Sequence, residues 1–254
     1  MISRFFKILF FGNETDEMSK PNPYYKKQNQ NLKDIWHNKT YNDFGIERLF
    51  RLFLQLTAFI IPSGIFRQLS GTDNIIHRRL TVELLGIGKV IFFYLILVKF
   101  DKTNSLIFLI LASIITFDTL HFLASRIFLN DVFRQPISYK RSLLMVFINY
   151  VEICLFFAFV YAYIDHTNID ITKTMFISNS ENMVSHITNL QSIYFSFITS
   201  ATIGYGDIVP RNDILIRVVI FQVIISLFLV VVIISNVTTK IEDETFYNKK
   251  KIKE

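Results

Sequence analysis

Four long apolar runs constrain this chain more than any other feature: 84–98, 105–124, 143–164 and 214–237. They approach or exceed the length of about 18 residues that marks a membrane-spanning helix. Hydrophobic residues make up 51% of the 254 positions, and charged residues only 19%, clustered between the runs. An integral membrane protein is therefore expected. The net charge of +6 does not point to nucleic acid. That function would want a basic face with stacking aromatics, whereas most of the 27 Phe lie inside the apolar runs. The single cysteine, Cys154, sits within the third run, so neither an intrachain disulfide nor a cysteine metal cage is possible. The start, 1–11, is basic and aromatic without a small-residue cleavage site, and reads as a short interfacial helix rather than a signal peptide.

Basic loops give the orientation. Arg126, Arg134, Lys140 and Arg141 lie between runs two and three, Lys249, Lys250, Lys251 and Lys253 follow run four, and Arg78 and Arg79 precede run one. Four spans place all three groups in the cytoplasm, with both termini inside. The segment 45–66 carries Glu47, Arg48, Arg51 and Gln55 at near-helical spacing beside an apolar side, with Pro62 and Gly64 at its end. It either lies in the interface or spans. Spanning would put the lysine-bearing N-terminal arm outside, so an interfacial amphipathic helix is the reading adopted. The expected organisation is a cytoplasmic N-terminal arm (1–44), soluble or poorly ordered over 12–44, the amphipathic helix and linker (45–83), two peripheral spans (84–125), a basic cytoplasmic loop (126–142), a two-span module (143–237) and a short basic cytoplasmic tail (238–254).

Runs three and four are separated by a polar stretch, 165–189, then by a short apolar segment, 190–199, too short to cross. Thr202-Ile203-Gly204-Tyr205-Gly206-Asp207 follows at once. Non-helical backbone at membrane depth is tolerable only when buried or lining water. A bare cation in hydrocarbon is prohibitively costly, so a path for one must replace its water with oxygens. Successive backbone carbonyls normally alternate in direction. Aiming those of Thr202, Ile203, Gly204 and Tyr205 at one axis requires left-handed residues, which Gly204 and Gly206 accept at little steric cost. The segment 189–201 is expected to be a short helix whose C-terminal partial negative charge favours a cation beyond it.

From about 143 to 237, and most closely from Tyr194-Phe195-Ser196-Phe197 to Thr202-Ile203-Gly204-Tyr205-Gly206-Asp207-Ile208-Val209-Pro210, the chain resembles the pore module of tetrameric potassium channels. In that family four such loops, one per subunit, replace the hydration shell of potassium with backbone carbonyls. The resemblance implies an all-α membrane protein of four transmembrane helices with a re-entrant pore helix and filter. It implies potassium binding by Thr202, Ile203, Gly204, Tyr205 and Gly206, the metal ligands coming from the first four. Thr202 would add its hydroxyl at the inner end. Tyr205 would pack its ring behind the loop, and Asp207 would sit at the pore mouth and raise local cation concentration. It further implies a homotetramer in the cell membrane among lipids, with potassium as the conducted ion and no cofactor. Two features depart from the family pattern. Ile225-Ser226-Leu227-Phe228 lacks the mid-helix glycine hinge, and the only tryptophan is Trp36, so other aromatics must surround Tyr205.

Neither of the first two runs carries the basic series at every third position that a voltage sensor needs. The tail 238–254 is too short for a folded ligand domain, so a ligand gate would come from the N-terminal arm or a separate regulatory protein. Lys89, Asp118, His121 and Glu152 lie within the runs, where charge is expensive. The topology puts Lys89 and Asp118 at similar depth, and they are expected to pair, most simply as a static bridge. Asp165, His166, Asp170, Glu181 and His186 follow no compact metal spacing and read as a solvated loop. No catalytic constellation is present, so an enzyme is not expected. The alternatives weighed are a non-conducting modulatory or anchoring subunit, a potassium transporter subunit and a non-selective channel. An intact Gly-Tyr-Gly and a single pore loop speak against all three.

Overall fold

The computed structural model describes residues 24–38, 42–61, 75–99, 106–129, 139–167, 176–178 and 186–251. The expected helix at 1–11, the end of the amphipathic segment at 62–66, and most of the basic loop and of the polar 165–189 stretch lie outside them. Seven helices are described: α1 (Tyr24–Trp36), α2 (Gly45–Thr57), α3 (Ile75–Lys99), α4 (Leu106–Phe128), α5 (Tyr139–Thr167), α6 (Asn189–Ser200) and α7 (Asp213–Lys251). Four of them are long and apolar enough to cross a membrane, over Thr81–Lys99, Leu106–Phe128, Arg141–Thr167 and Asp213–Ile234. Two three-residue strands, β1 (Phe176–Ser178) and β2 (Ile208–Pro210), pair antiparallel with Ile177 opposite Val209. This small ribbon is an addition to the all-α expectation.

The chain divides into two compact units. The first takes its described residues from Met1–Gly88 and Leu120–Gln135. Within the arm read above as soluble or poorly ordered, α1 is a formed helix. Its buried positions, Gln28, Asn31 and Ile35, recur at helical spacing and two of them are polar. Gln55 on α2 is wholly buried; its amide donates to the Gln28 carbonyl at 3.1 Å and also meets the Gln28 side chain. Arg51 forms an ion pair with Asp43 at 3.3 Å, both buried. The polar side of α2 thus faces protein, and Ile46, Leu49, Phe53 and Leu56 are left exposed. Thirteen residues of α2 span roughly 20 Å, short of a hydrocarbon core of about 30 Å. His121 on α4 meets the Leu54 carbonyl at 2.8 Å.

The second unit is drawn from Lys89–Thr119 and Pro136–Glu254. Its centre is α5, buried almost all round from Ile153 to Ala162, as expected of a helix apolar on every face. Phe93 of α3 meets Phe156 edge-on at 6.1 Å between ring centroids. On the other side α6 and α7 pack against α5. α7 buries one stripe, Leu215, Gln222, Ile225, Leu229 and Val232, and exposes Ile220, Phe221, Ile224, Leu227 and Val231. It has 39 residues and runs on through the stretch read above as a separate tail. No Gly or Pro occurs between 213 and 251 to stop it.

Candidate functional site

The 202–207 loop is built on the C-terminus of α6. At its N-terminus, Thr188 and Gln191 form a reciprocal capping box, which satisfies donors the helix would otherwise leave orphaned. The Asp165 carboxylate at the end of α5 accepts from the Ile187 N–H at 2.8 Å and pairs with His186 at 3.3 Å. His186 stacks on His166, 5.3 Å between centroids. Three residues read above as solvated are therefore brought together, and the Asp165 side chain is buried. Asn189 donates to the Leu97 carbonyl of α3 at 2.7 Å.

At the other end of α6 the Ile203 N–H bonds to the Ile198 carbonyl at 2.9 Å and the Thr202 N–H to the Thr199 carbonyl at 3.1 Å. This nested pair is the Schellman arrangement, which requires a left-handed residue just past the helix, usually glycine. Here that residue is Thr202, at φ +57°. A β-branched side chain is a genuine outlier there, and strain of this kind costs on the order of 1–3 kcal/mol. Gly204 and Gly206 follow at φ +55° and +76°. Every second residue from 202 to 206 is left-handed, the alternation that turns successive carbonyls toward one side. Ile203 and Tyr205 between them stand 52% and 68% exposed in the single chain.

The loop leaves through Asp207 into β2. The Tyr194 hydroxyl of α6 donates to Asp207 Oδ2 at 2.7 Å. That bond holds the Tyr194 phenol well above its ordinary value, at about 12. An aromatic of α6, Tyr194, thus reaches the C-terminal end of the loop.

Behind α6 lies a polar cluster that the sequence reading missed. The wholly buried Gln222 of α7 donates to the Ser196 carbonyl at 2.8 Å and to Ser200 Oγ at 2.6 Å, with Ser196 Oγ at 3.0 Å. Its Oε1 accepts from the Tyr161 hydroxyl of α5. Ser196 Oγ donates to the Cys154 carbonyl at 2.7 Å. Two signals could have found it. Ser192, Ser196 and Ser200 recur every four residues on α6, and Gln222 is the one amide between Asp213 and Ile234 of α7.

Lys89 Nζ lies 2.9 Å from Asp118 Oδ2 and 2.9 Å from Thr119 Oγ1. Thr119 donates onward to Glu152 Oε1 at 2.7 Å. The polar set therefore joins α3, α4 and α5, and Glu152 is part of it.

A family model described as ion channel matches residues 149–243. The match begins inside α5, takes in α6, the 202–207 loop and β2, and ends within α7; Lys89 and Asp118 lie outside it. No curated protein and no solved structure matches the chain. The match supports an ion channel family over those residues, and the chain is mostly helical, with four helices long and apolar enough to cross a membrane.

Proposed function

We propose that this chain is one subunit of a homotetrameric, potassium-selective channel, with Thr202 to Gly206 as its filter and potassium held by carbonyls of Thr202, Ile203, Gly204 and Tyr205. The observation that carries the reading is the left-handed alternation at Thr202, Gly204 and Gly206, on a loop that follows a short capped helix between two spans. Carbonyls turned to one side form a row of oxygens, and four such rows about an axis make a cage that can stand in for water. The α6 C-terminus adds partial negative charge at the entrance to that row. Assembly would also cover Ile203 and Tyr205 and the apolar face of α7. α3 and α4 would lie at the periphery, and they carry no regular arginine series that would make them a voltage sensor. The topology that fits is a cell-membrane protein with both termini cytoplasmic and α2 lying in the interface with its apolar side in lipid. The stimulus that opens it would come from a separate regulatory protein or the N-terminal region.

Rubidium and sodium uptake into liposomes containing the purified protein tests the reading. Selective rubidium uptake that disappears in Gly204→Ala, with assembly retained, is the expected result. A Cβ on Gly204 meets nothing within 4 Å in the subunit, so this variant perturbs loop conformation rather than packing. An intact tetramer that shows no uptake would favour a non-conducting subunit, and equal rubidium and sodium uptake would overturn selectivity.

A further inference from the structure

We infer that Gln222 is a positioning residue for the filter, coupling the inner helix α7 to the end of α6 that fixes Thr202 and Ile203. The inference rests on the channel reading above.

The amide orientation follows from its partners. The Ser196 backbone oxygen can only accept, so the group 2.8 Å from it must be the amide nitrogen. Oε1 then faces Tyr161, whose hydroxyl donates. The two amide hydrogens go to Ser196 O and Ser200 Oγ, the contact to Ser196 Oγ being shared, since that hydroxyl spends its own hydrogen on the Cys154 carbonyl. Every polar atom of Gln222 is therefore used, in a wholly buried position. One side chain ties α5, α6 and α7 together.

The location gives the cluster its consequence. Ser196 and Ser200 lie in the last turns of α6, and Ser200 is two residues from the strained Thr202. Ile198 and Thr199, between them, accept the two bonds that cap the helix. α7 cannot shift at Gln222 without breaking at least one of these bonds or carrying the end of α6 with it. A bond lost here leaves a buried polar group unpaired, which is costly. With no glycine between 213 and 251 to let α7 bend, movement of this helix is transmitted to the filter.

The test uses the full-length protein in liposomes, reading the ratio of rubidium to sodium uptake, with size-exclusion chromatography as the assembly control. A wild-type protein without rubidium-selective uptake would defeat the channel reading itself and is scored first. Given selective wild type, Gln222→Leu is expected to lower the ratio about tenfold or more, because buried partners are left unpaired. A ratio equal to wild type in assembled Gln222→Leu overturns the inference. Gln222→Glu is the variant to use if Gln222→Leu fails to assemble. As a protonated acid it can still donate to Ser196 O and accept from Tyr161; as a carboxylate it cannot donate. Its ratio should recover toward wild type as pH falls from about 8 to about 5, across the carboxyl range, beyond any change in wild type. A merely space-filling role predicts a profile parallel to wild type, and that outcome also overturns the inference.

Discussion

Removing charge from the Lys89 cluster should produce an asymmetry that a simple ion pair would not. Lys89 bonds both Asp118 and Thr119 at 2.9 Å, and Thr119 donates to Glu152 at 2.7 Å. One cation thus sits within reach of two carboxylates. Stripping one partner from a fully buried pair costs about 3–5 kcal/mol, against about 0–1 kcal/mol for an exposed one. The Lys89 side chain is 21% exposed and that of Asp118 6%, so a value between these limits applies. Lys89→Met leaves two buried acids without their cation, and we expect a loss of about 2–3 kcal/mol. Asp118→Asn leaves Lys89 with Thr119 and with Glu152 one bond further on, and about 1–2 kcal/mol is expected. The double variant should recover part of the loss, because it removes both members of the pair, although Glu152 still lacks its cation. Reversible unfolding in mixed micelles, followed by circular dichroism, measures all three. The reasoning is refuted if Lys89→Met is no worse than Asp118→Asn, or if the two effects add to within about 0.5 kcal/mol, the usual margin for uncoupled sites.

Three further outcomes follow from the loop and the first unit. Thr202→Gly should relieve the left-handed strain and raise subunit stability by about 1–2 kcal/mol, while rubidium uptake loses selectivity with the hydroxyl; a destabilised Thr202→Gly would contradict the strain. Tyr194→Phe should shorten sustained uptake, because Asp207 loses its donor. In wild type that bond is complete below the ordinary tyrosine range and is lost only as pH rises through about 12, so uptake should show no step from it between about pH 6 and 9. Trp36, 62% exposed and the only tryptophan, should be quenched by lipids brominated near the headgroup more than by lipids brominated at the chain ends. The reverse order would exclude an interfacial first unit.

The four spans were legible because hydrocarbon demands continuous apolar runs, and α5 and α7 announce themselves by length. The loop was legible because Gly204 and Gly206 supply conformations that other residues resist. α1 was not, because it is held by the polar residues Gln28 and Asn31, which sequence patterning assigns to solvent. The same blindness hid the role of Gln222: a lone amide in an apolar helix carries no periodicity. Its partners are distant in sequence, with 61 positions separating it from Tyr161. The left-handed Thr202 was also invisible, since its conformation is dictated by how α6 ends rather than by its own preference.

That last point bears on how the loop is held. Thr202 disfavours its own backbone geometry, so the conformation persists only if the surroundings over-determine it. Two cap bonds to Thr199 and Ile198 fix it from the helix side. Tyr194 holds Asp207 on the far side of the loop, and β2 is pinned to β1 immediately afterwards. Gly204 and Gly206 themselves bring freedom rather than rigidity. Stability of the loop conformation is therefore delegated to α6, and α6 in turn depends on its contacts with α5 and α7. A substitution several residues from any carbonyl, at Ser196, Ser200, Tyr161 or Gln222, should then act on the loop as strongly as many substitutions within it.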